Sequence, residues 1–70
     1  QQMTKAEKAA QVLEQGLKSF PQEESLHYAL AYVYLQNSRP DKARTHVMFL
    51  KQVNPNNPEY QQLFSSLGIR

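Results

Sequence analysis

The side chains that could do chemistry in this sequence are few, and its two histidines come first. His27 and His46 stand 19 residues apart, and neither belongs to a recognisable metal-ligand motif. Ser25 and Thr45 lack the ordered base and orienting group that would activate a hydroxyl nucleophile. We therefore expect a structural or surface role for both histidines, with no catalytic residue and no metal site.

The carboxylates and glycines also offer no catalytic arrangement. Glu23 and Glu24 are adjacent, and neighbouring helix residues point about 100° apart, so the two cannot easily share a substrate. Negative charge is instead favourable in the first turn of a helix. Gly16 and Gly68 are isolated, so no glycine-rich loop is present to cradle a phosphate. The sequence predicts that the protein is not an enzyme and needs no cofactor.

Composition and charge exclude further classes. The 70 residues include eight Lys and Arg, six Asp and Glu and no Cys, with a formal net charge of +2. Bases and acids are interspersed, which is typical of a solvated surface and not of a nucleic-acid interface. The longest apolar run, Tyr28–Leu35, is far shorter than the roughly 20 residues of a membrane helix. A soluble chain is expected, and the composition favours neither cytoplasm nor periplasm.

Four segments between prolines repeat their apolar residues at helical spacing, so we predict four helices. The capping-box pattern Thr4–Glu7 predicts a first helix that ends near Ser19. The second should span about 23–36, and the third should begin near Pro40 with Ser38 or Arg39 as its cap. The fourth should begin at residue 58 with residue 57 as its cap.

The apolar pattern also predicts how these helices pack. The second helix is apolar or aromatic on every side over Tyr28–Leu35, so other helices must cover it on more than one side. The first helix should bury a face that includes Ala9 and Ala10. The third helix has a predicted buried stripe of four residues: Ala43, Val47, Leu50 and Val53. Short connections favour antiparallel neighbours.

The sequence matches itself after a shift of 34 residues. The matching elements are a helix cap, a charge pattern, a small residue, a buried residue and a terminal proline. In order, Thr4–Ala9 aligns with Ser38–Ala43, Leu13 with Val47, and Pro21 with Pro55. A period of this length is typical of stacked helical repeats. The first and third helices are then equivalent, as are the second and fourth.

Residues 24–57 resemble one full tetratricopeptide repeat. The matching positions are Leu30, Ala31, Tyr34, Ala43, Val47 and Pro55. Residues 4–21 resemble the second helix of a preceding repeat, and residues 58–70 resemble a following or capping helix. The resemblance implies an all-α fold of about four helices, in which antiparallel pairs stack as a short right-handed α-solenoid. His27, Leu50 and Ser38 depart from the family pattern and suggest slightly altered packing.

The resemblance also implies a binding surface. It places one stripe of residues on the concave face, where partner peptides usually dock: Tyr28, Tyr32, Leu35 and Gln36, extended by Gln62 and Ser66 from the fourth helix. Chaperone-binding repeats carry Lys, Asn and Arg on this stripe, so its tyrosines argue against a carboxylate clamp. An apolar or mixed peptide fits the stripe better. The alternative is that the tyrosines pack against a neighbouring repeat.

These patterns predict a protein–protein interaction module, part of a longer scaffold or assembly protein, that binds a partner segment along an aromatic groove. Two alternatives stay open. One is an RNA-binding helical repeat, which has a similar period, although no basic stripe appears. The other is a self-associating structural repeat that forms homo-oligomers through its open ends.

Overall fold

The computed structural model describes residues 3–69, and this part of the chain folds into four α-helices without a strand. The helices are α1 (Lys5–Ser19), α2 (Glu24–Gln36), α3 (Pro40–Val53) and α4 (Pro58–Ser66). The all-α prediction is confirmed, and the helix bounds agree with the sequence to within about a residue. None of the four helices within residues 3–69 is long and apolar enough to cross a membrane.

Two of the helices begin with the side-chain caps that the sequence predicts. The Thr4 hydroxyl accepts a hydrogen bond from the Glu7 backbone at 3.1 Å, and the Glu7 carboxylate accepts one from the Thr4 backbone at 2.8 Å. This backbone hydrogen bond lowers the pKa of Glu7. Asn57 Oδ1 accepts from the backbone N–H groups of Glu59 and Tyr60, at 2.9 and 3.3 Å. These bonds satisfy N–H groups that have no partner within the helix.

The start of α3 relies on proline instead. Arg39 occupies the N-cap position, but its side chain makes no capping hydrogen bond, and Pro40 stands in the first turn. Proline has no N–H group to satisfy and its backbone angle already suits a helix. The expectation of a cap at Ser38 or Arg39 therefore holds for the position of Arg39 and not for a side-chain bond.

Helices α2 and α4 end in the same way. The N–H of Arg39 bonds the carbonyl of Tyr34 at 2.8 Å, and the N–H of Ile69 bonds that of Phe64 at 2.7 Å. Each bond closes a Schellman motif, which requires a left-handed residue just before the donor. Gly68 fills that position after α4 with φ of 68°, whereas Ser38 fills it after α2 with φ of 59°.

The conformation of Ser38 corrects one expectation. We predicted that a serine in place of the family's usual glycine would alter packing, but Ser38 is exposed. What changes is the backbone, because a residue with a Cβ atom adopts the left-handed conformation at a cost of about 1–2 kcal/mol.

Consecutive helices are antiparallel, joined by loops of three or four residues. His27, near the start of α2, stacks on Phe49, near the end of α3, whereas Tyr34, near the end of α2, lies beside Lys42, near the start of α3. Helix α2 packs against α1, α3 and α4. The prediction that this all-round apolar helix is covered on more than one side is confirmed.

The core lies mainly where α2, α3 and α4 meet. Its buried cluster consists of Ala31, Val47, Leu50, Tyr60, Leu63, Phe64 and Ile69. Two residues that were predicted to be buried are exposed instead. Val53 is 46% exposed, because the buried stripe of α3 runs out before this last residue of the helix. Ala9 is also exposed, since within the described residues the backbone of α1 packs against α2 alone.

Candidate functional site

The candidate site is a groove between α2 and α4. These two helices begin 34 residues apart, at Glu24 and Pro58, so they are equivalent elements in the repeat. The start of α2 contacts the start of α4, since the Tyr60 hydroxyl donates a hydrogen bond to Glu24 at 3.1 Å. Because both helices are antiparallel to α3, they run in the same direction, and a cleft lies between them.

All six binding residues predicted from the sequence lie around this cleft. It encloses about 310 Å³ and is lined by eight residues: Tyr28, Tyr32, Leu35, Gln36, Glu59, Gln62, Leu63 and Ser66. The fold thus brings four residues of α2 together with two of α4, as the 34-residue repeat implies. Their role in binding stays a prediction.

Sequence reasoning missed Glu59 and Leu63 as lining residues. Leu63 follows Gln62 directly, and its side chain is buried in the core. Glu59 stands in the first turn of α4, where an acid is explained by the helix dipole alone. The spacing Glu59, Gln62, Leu63 and Ser66 is one helical face, and this is the signal that could have identified both residues.

Two tyrosines, Tyr28 and Tyr32, form one wall of the groove, and the buried Tyr60 packs behind Tyr28. The Tyr28 ring lies 5.4 Å from the Tyr60 ring and 6.1 Å from the Tyr32 ring, measured between centroids. Tyr60 is buried, Tyr28 is half-buried and Tyr32 is 49% exposed. Burial raises the pKa of Tyr60, and so does the hydrogen bond to Glu24. The wall is therefore supported from behind by Tyr60 and has an open aromatic edge in Tyr32.

The polar residues of the groove are mostly neutral. Gln36, Gln62 and Ser66 can donate and accept hydrogen bonds, and the Ser66 hydroxyl already donates to the Gln62 carbonyl at 3.0 Å. Glu59 supplies one carboxylate, and no lysine or arginine is among the described residues that line the cleft. This arrangement suits an apolar side chain on the aromatic wall and a polar backbone beside the amides.

The two histidines lie outside this groove, in the α2–α3 joint. Both are buried, and their Nδ1 atoms are 3.0 Å apart. Among residues 3–69, no group of three or more metal-ligating side chains is close enough to hold a metal ion. The sequence did not reveal this pairing, because the two residues come together only when α2 and α3 pack.

The sequence model of a family described as a tetratricopeptide repeat matches residues 2–67, which is most of the chain. No curated protein and no solved structure matches the chain.

Proposed function

Because this chain belongs to the tetratricopeptide repeat family, whose repeats generally mediate protein–protein interactions, we propose that it binds a partner protein through the groove between α2 and α4. The observation that carries this proposal is the cleft of about 310 Å³ with an open tyrosine wall. We propose that it serves as one module of a scaffold or assembly protein. The family is typically non-enzymatic, which agrees with the absence of a catalytic arrangement in the sequence.

The lining supports a particular kind of partner segment. Tyr28 and Tyr32 offer aromatic area that binds apolar side chains with little loss of conformational entropy. Gln36 and Gln62 can bond the backbone of a segment lying along the cleft. Glu59 is the one charged residue among those that line it, so a neutral or basic segment is favoured over an acidic one.

A peptide selection with two matched variants tests this proposal. Random peptides displayed on phage are selected on the chain, and the enriched sequences are synthesised and titrated by calorimetry. Tyr32→Ala removes an aromatic edge that is 49% exposed, and Met48→Ala removes a side chain of α3 that is 45% exposed away from the groove. We expect Tyr32→Ala to weaken binding about tenfold or more, as aromatic anchors do, and Met48→Ala to leave it unchanged.

Two results would contradict the groove assignment. One is equal affinity for Tyr32→Ala and the unmodified chain, provided that both are folded by circular dichroism. The other is a set of peptide-induced NMR shifts that avoids α2 and α4. Light scattering at two concentrations separates peptide binding from self-association, and no enrichment of peptides together with a concentration-dependent dimer would favour the self-associating alternative.

The RNA-binding alternative has less support. Phosphate contacts need lysine or arginine, and neither lines the cleft among the described residues. RNA binding with a steep salt dependence would revive it, because that dependence reports phosphate neutralisation.

A further inference from the structure

A network of polar side chains links three helices on the side of α2 away from the groove. His27 Nε2 lies 2.8 Å from the Pro21 carbonyl, and the two histidine Nδ1 atoms are 3.0 Å apart. His46 Nε2 lies 3.8 Å from a Glu14 carboxylate oxygen, which also accepts a 2.6 Å hydrogen bond from the Tyr34 hydroxyl. This network of polar contacts therefore extends from the α1–α2 loop through α2 and α3 to α1.

These contacts determine which nitrogens carry protons. A backbone carbonyl can only accept, so His27 Nε2 must be the donor to Pro21. In a neutral His27 the other nitrogen, Nδ1, is then an acceptor. The Nδ1 of His46 must donate to it, because two bare nitrogens cannot bond at 3.0 Å. Neutral His46 therefore has a bare Nε2.

That bare nitrogen faces a carboxylate. Both are acceptors, which agrees with a separation of 3.8 Å, beyond hydrogen-bond length. A proton added at His46 Nε2 would turn this contact into an ion pair without breaking another bond. The Glu14 side chain is 43% exposed and lines a cleft with Lys42 and Arg39, so protons from solvent can reach the Glu14 end of the network.

A second proton has no acceptor atom of this kind. It would have to bind His27 Nδ1, which would set two N–H donors and two positive rings against each other at 3.0 Å. His27 also stacks on Phe49 at 3.9 Å between centroids, so its ring has little room to turn away. Acceptance of two protons therefore requires the rings to separate.

We propose that His27 and His46 form a proton-sensitive latch between α2 and α3. While these helices are packed, the latch holds at most one added proton, at His46 Nε2. Mild acid loosens the joint, and the second proton opens it.

The charged and titratable groups around His46 come from all three helices. Glu14 faces it from α1, His27 and Tyr34 face it from α2, and Lys42 of its own helix lies 5.8 Å from the Tyr34 ring. Burial lowers the pKa of His46 most strongly, Glu14 opposes this effect and His27 adds to it. A histidine whose folded pKa is lowered stabilises the fold above its ordinary value near 6.5, and this stability is lost as the pH falls below that value.

NMR of the folded chain tests the proton positions directly. Ring ¹⁵N shifts at about pH 7.5 should identify His27 as the Nε2–H tautomer and His46 as the Nδ1–H tautomer. In an acid titration, Nε2 of His46 should take up the first proton. Substitution of Glu14 by Gln should move this step to lower pH, because a carboxylate favours the charged ring. The matched control is Glu24→Gln, which alters the other tyrosine–carboxylate bond and should leave the step unchanged.

Urea unfolding at several pH values tests the latch. The chain has two histidines, both in this pair, and other side chains ordinarily titrate outside the range from about pH 5.5 to 7.5. As the pH falls through this range, we expect the unfolding equilibrium constant of the natural chain to rise roughly threefold to tenfold. In His46→Asn the side-chain amide can donate to neutral His27 and, after turning over, can accept from the protonated ring, so we expect about a twofold rise or less.

Several outcomes would overturn the latch. The tautomer assignment fails if His46 carries its proton on Nε2 at neutral pH. The latch fails if both rings become protonated while the α2–α3 contacts measured by NMR stay intact. It also fails if His46→Asn folds and shows the same pH dependence as the natural chain. None of these results depends on whether a peptide binds the groove, so the proposed function is tested separately.

Discussion

Helix α2 has two contrasting sides. Towards α1 and α3 it presents His27 and Tyr34, whose polar atoms are paired with other groups. Towards α4 it presents Tyr28 and Tyr32, and Tyr32 is 49% exposed beside an open cleft. Among residues 3–69, every buried side-chain nitrogen and oxygen has a hydrogen-bond partner. One side of the helix is thus a closed joint, and the other leaves aromatic surface without a partner.

The difference arises because one side of α2 buries polar atoms and the other exposes aromatic rings. Buried polar atoms cost about 1–3 kcal/mol when left unpaired, so the joint tolerates little change. An exposed aromatic ring costs the fold little, and the same ring gains apolar burial when a partner covers it. We therefore expect substitutions in the joint to change stability, and substitutions in the groove to change binding.

Leu30 and Tyr32, two residues apart on α2, should show this contrast most strongly. Leu30 is fully buried, and Leu30→Ala should lower the free energy of unfolding by about 2–5 kcal/mol through the cavity that it leaves. Since a chain of this length has a total stability of about 4–10 kcal/mol, that loss could unfold much of it. Tyr32→Ala should change the same free energy by no more than about 0.5 kcal/mol. Urea denaturation measures both.

Equal losses in these two variants would remove the contrast. Tyr32 would then be a structural residue, and weaker peptide binding by Tyr32→Ala would report unfolding.

The two tyrosine–carboxylate bonds allow a finer comparison. The Tyr34 hydroxyl lies 2.6 Å from Glu14 in the joint, and the Tyr60 hydroxyl lies 3.1 Å from Glu24 beside the groove. Tyr34→Phe should cost about 1 kcal/mol, and Tyr60→Phe somewhat less, because a bond to a charged group strengthens as it shortens. Thermal unfolding at neutral pH measures both.

The joint bond should also appear at alkaline pH. Burial, with the hydrogen bond to Glu14, raises the pKa of Tyr34 to about 12. A raised folded pKa stabilises the protein below the unfolded value near 10, and this stability is lost as the pH rises towards 12. Tyr34→Phe should therefore lose less stability than the natural chain between about pH 10 and 12. Parallel alkaline profiles for the two proteins would show that the Tyr34 hydroxyl contributes nothing there.

The smallest effects concern the two matching helix ends. Ser38→Gly should raise the free energy of unfolding by up to about 1 kcal/mol, because it relieves a left-handed residue at some entropic cost. Gly68→Ala should lower it by about 1 kcal/mol. A Cβ atom there would meet nothing within 4 Å, so the cost is one of backbone conformation. If Ser38→Gly were destabilising, the serine side chain would have a role that its exposed position does not reveal.

Much of the fold was predictable because its signals are local. The capping box at Thr4, the Asn57 cap and the prolines at the helix starts place the helix bounds. The 34-residue self-match predicts that α2 and α4 are equivalent, and this equivalence brings Tyr28 and Gln62 to one cleft. Val53 was misjudged because periodicity gives the face of a residue on its helix, and does not show how far a neighbouring helix extends.

The sequence by itself determined the four helices, the repeat and the aromatic stripe of α2, since each depends on spacing along the chain. Only the tertiary structure decided which polar side chains meet. His27 and His46 are 19 residues apart, and Tyr34 and Glu14 are 20 apart, and each pair bonds because two antiparallel helices align those turns. Such contacts depend on helix register and side-chain reach, which local spacing does not encode. The proton-sensitive joint therefore became visible only in the folded chain.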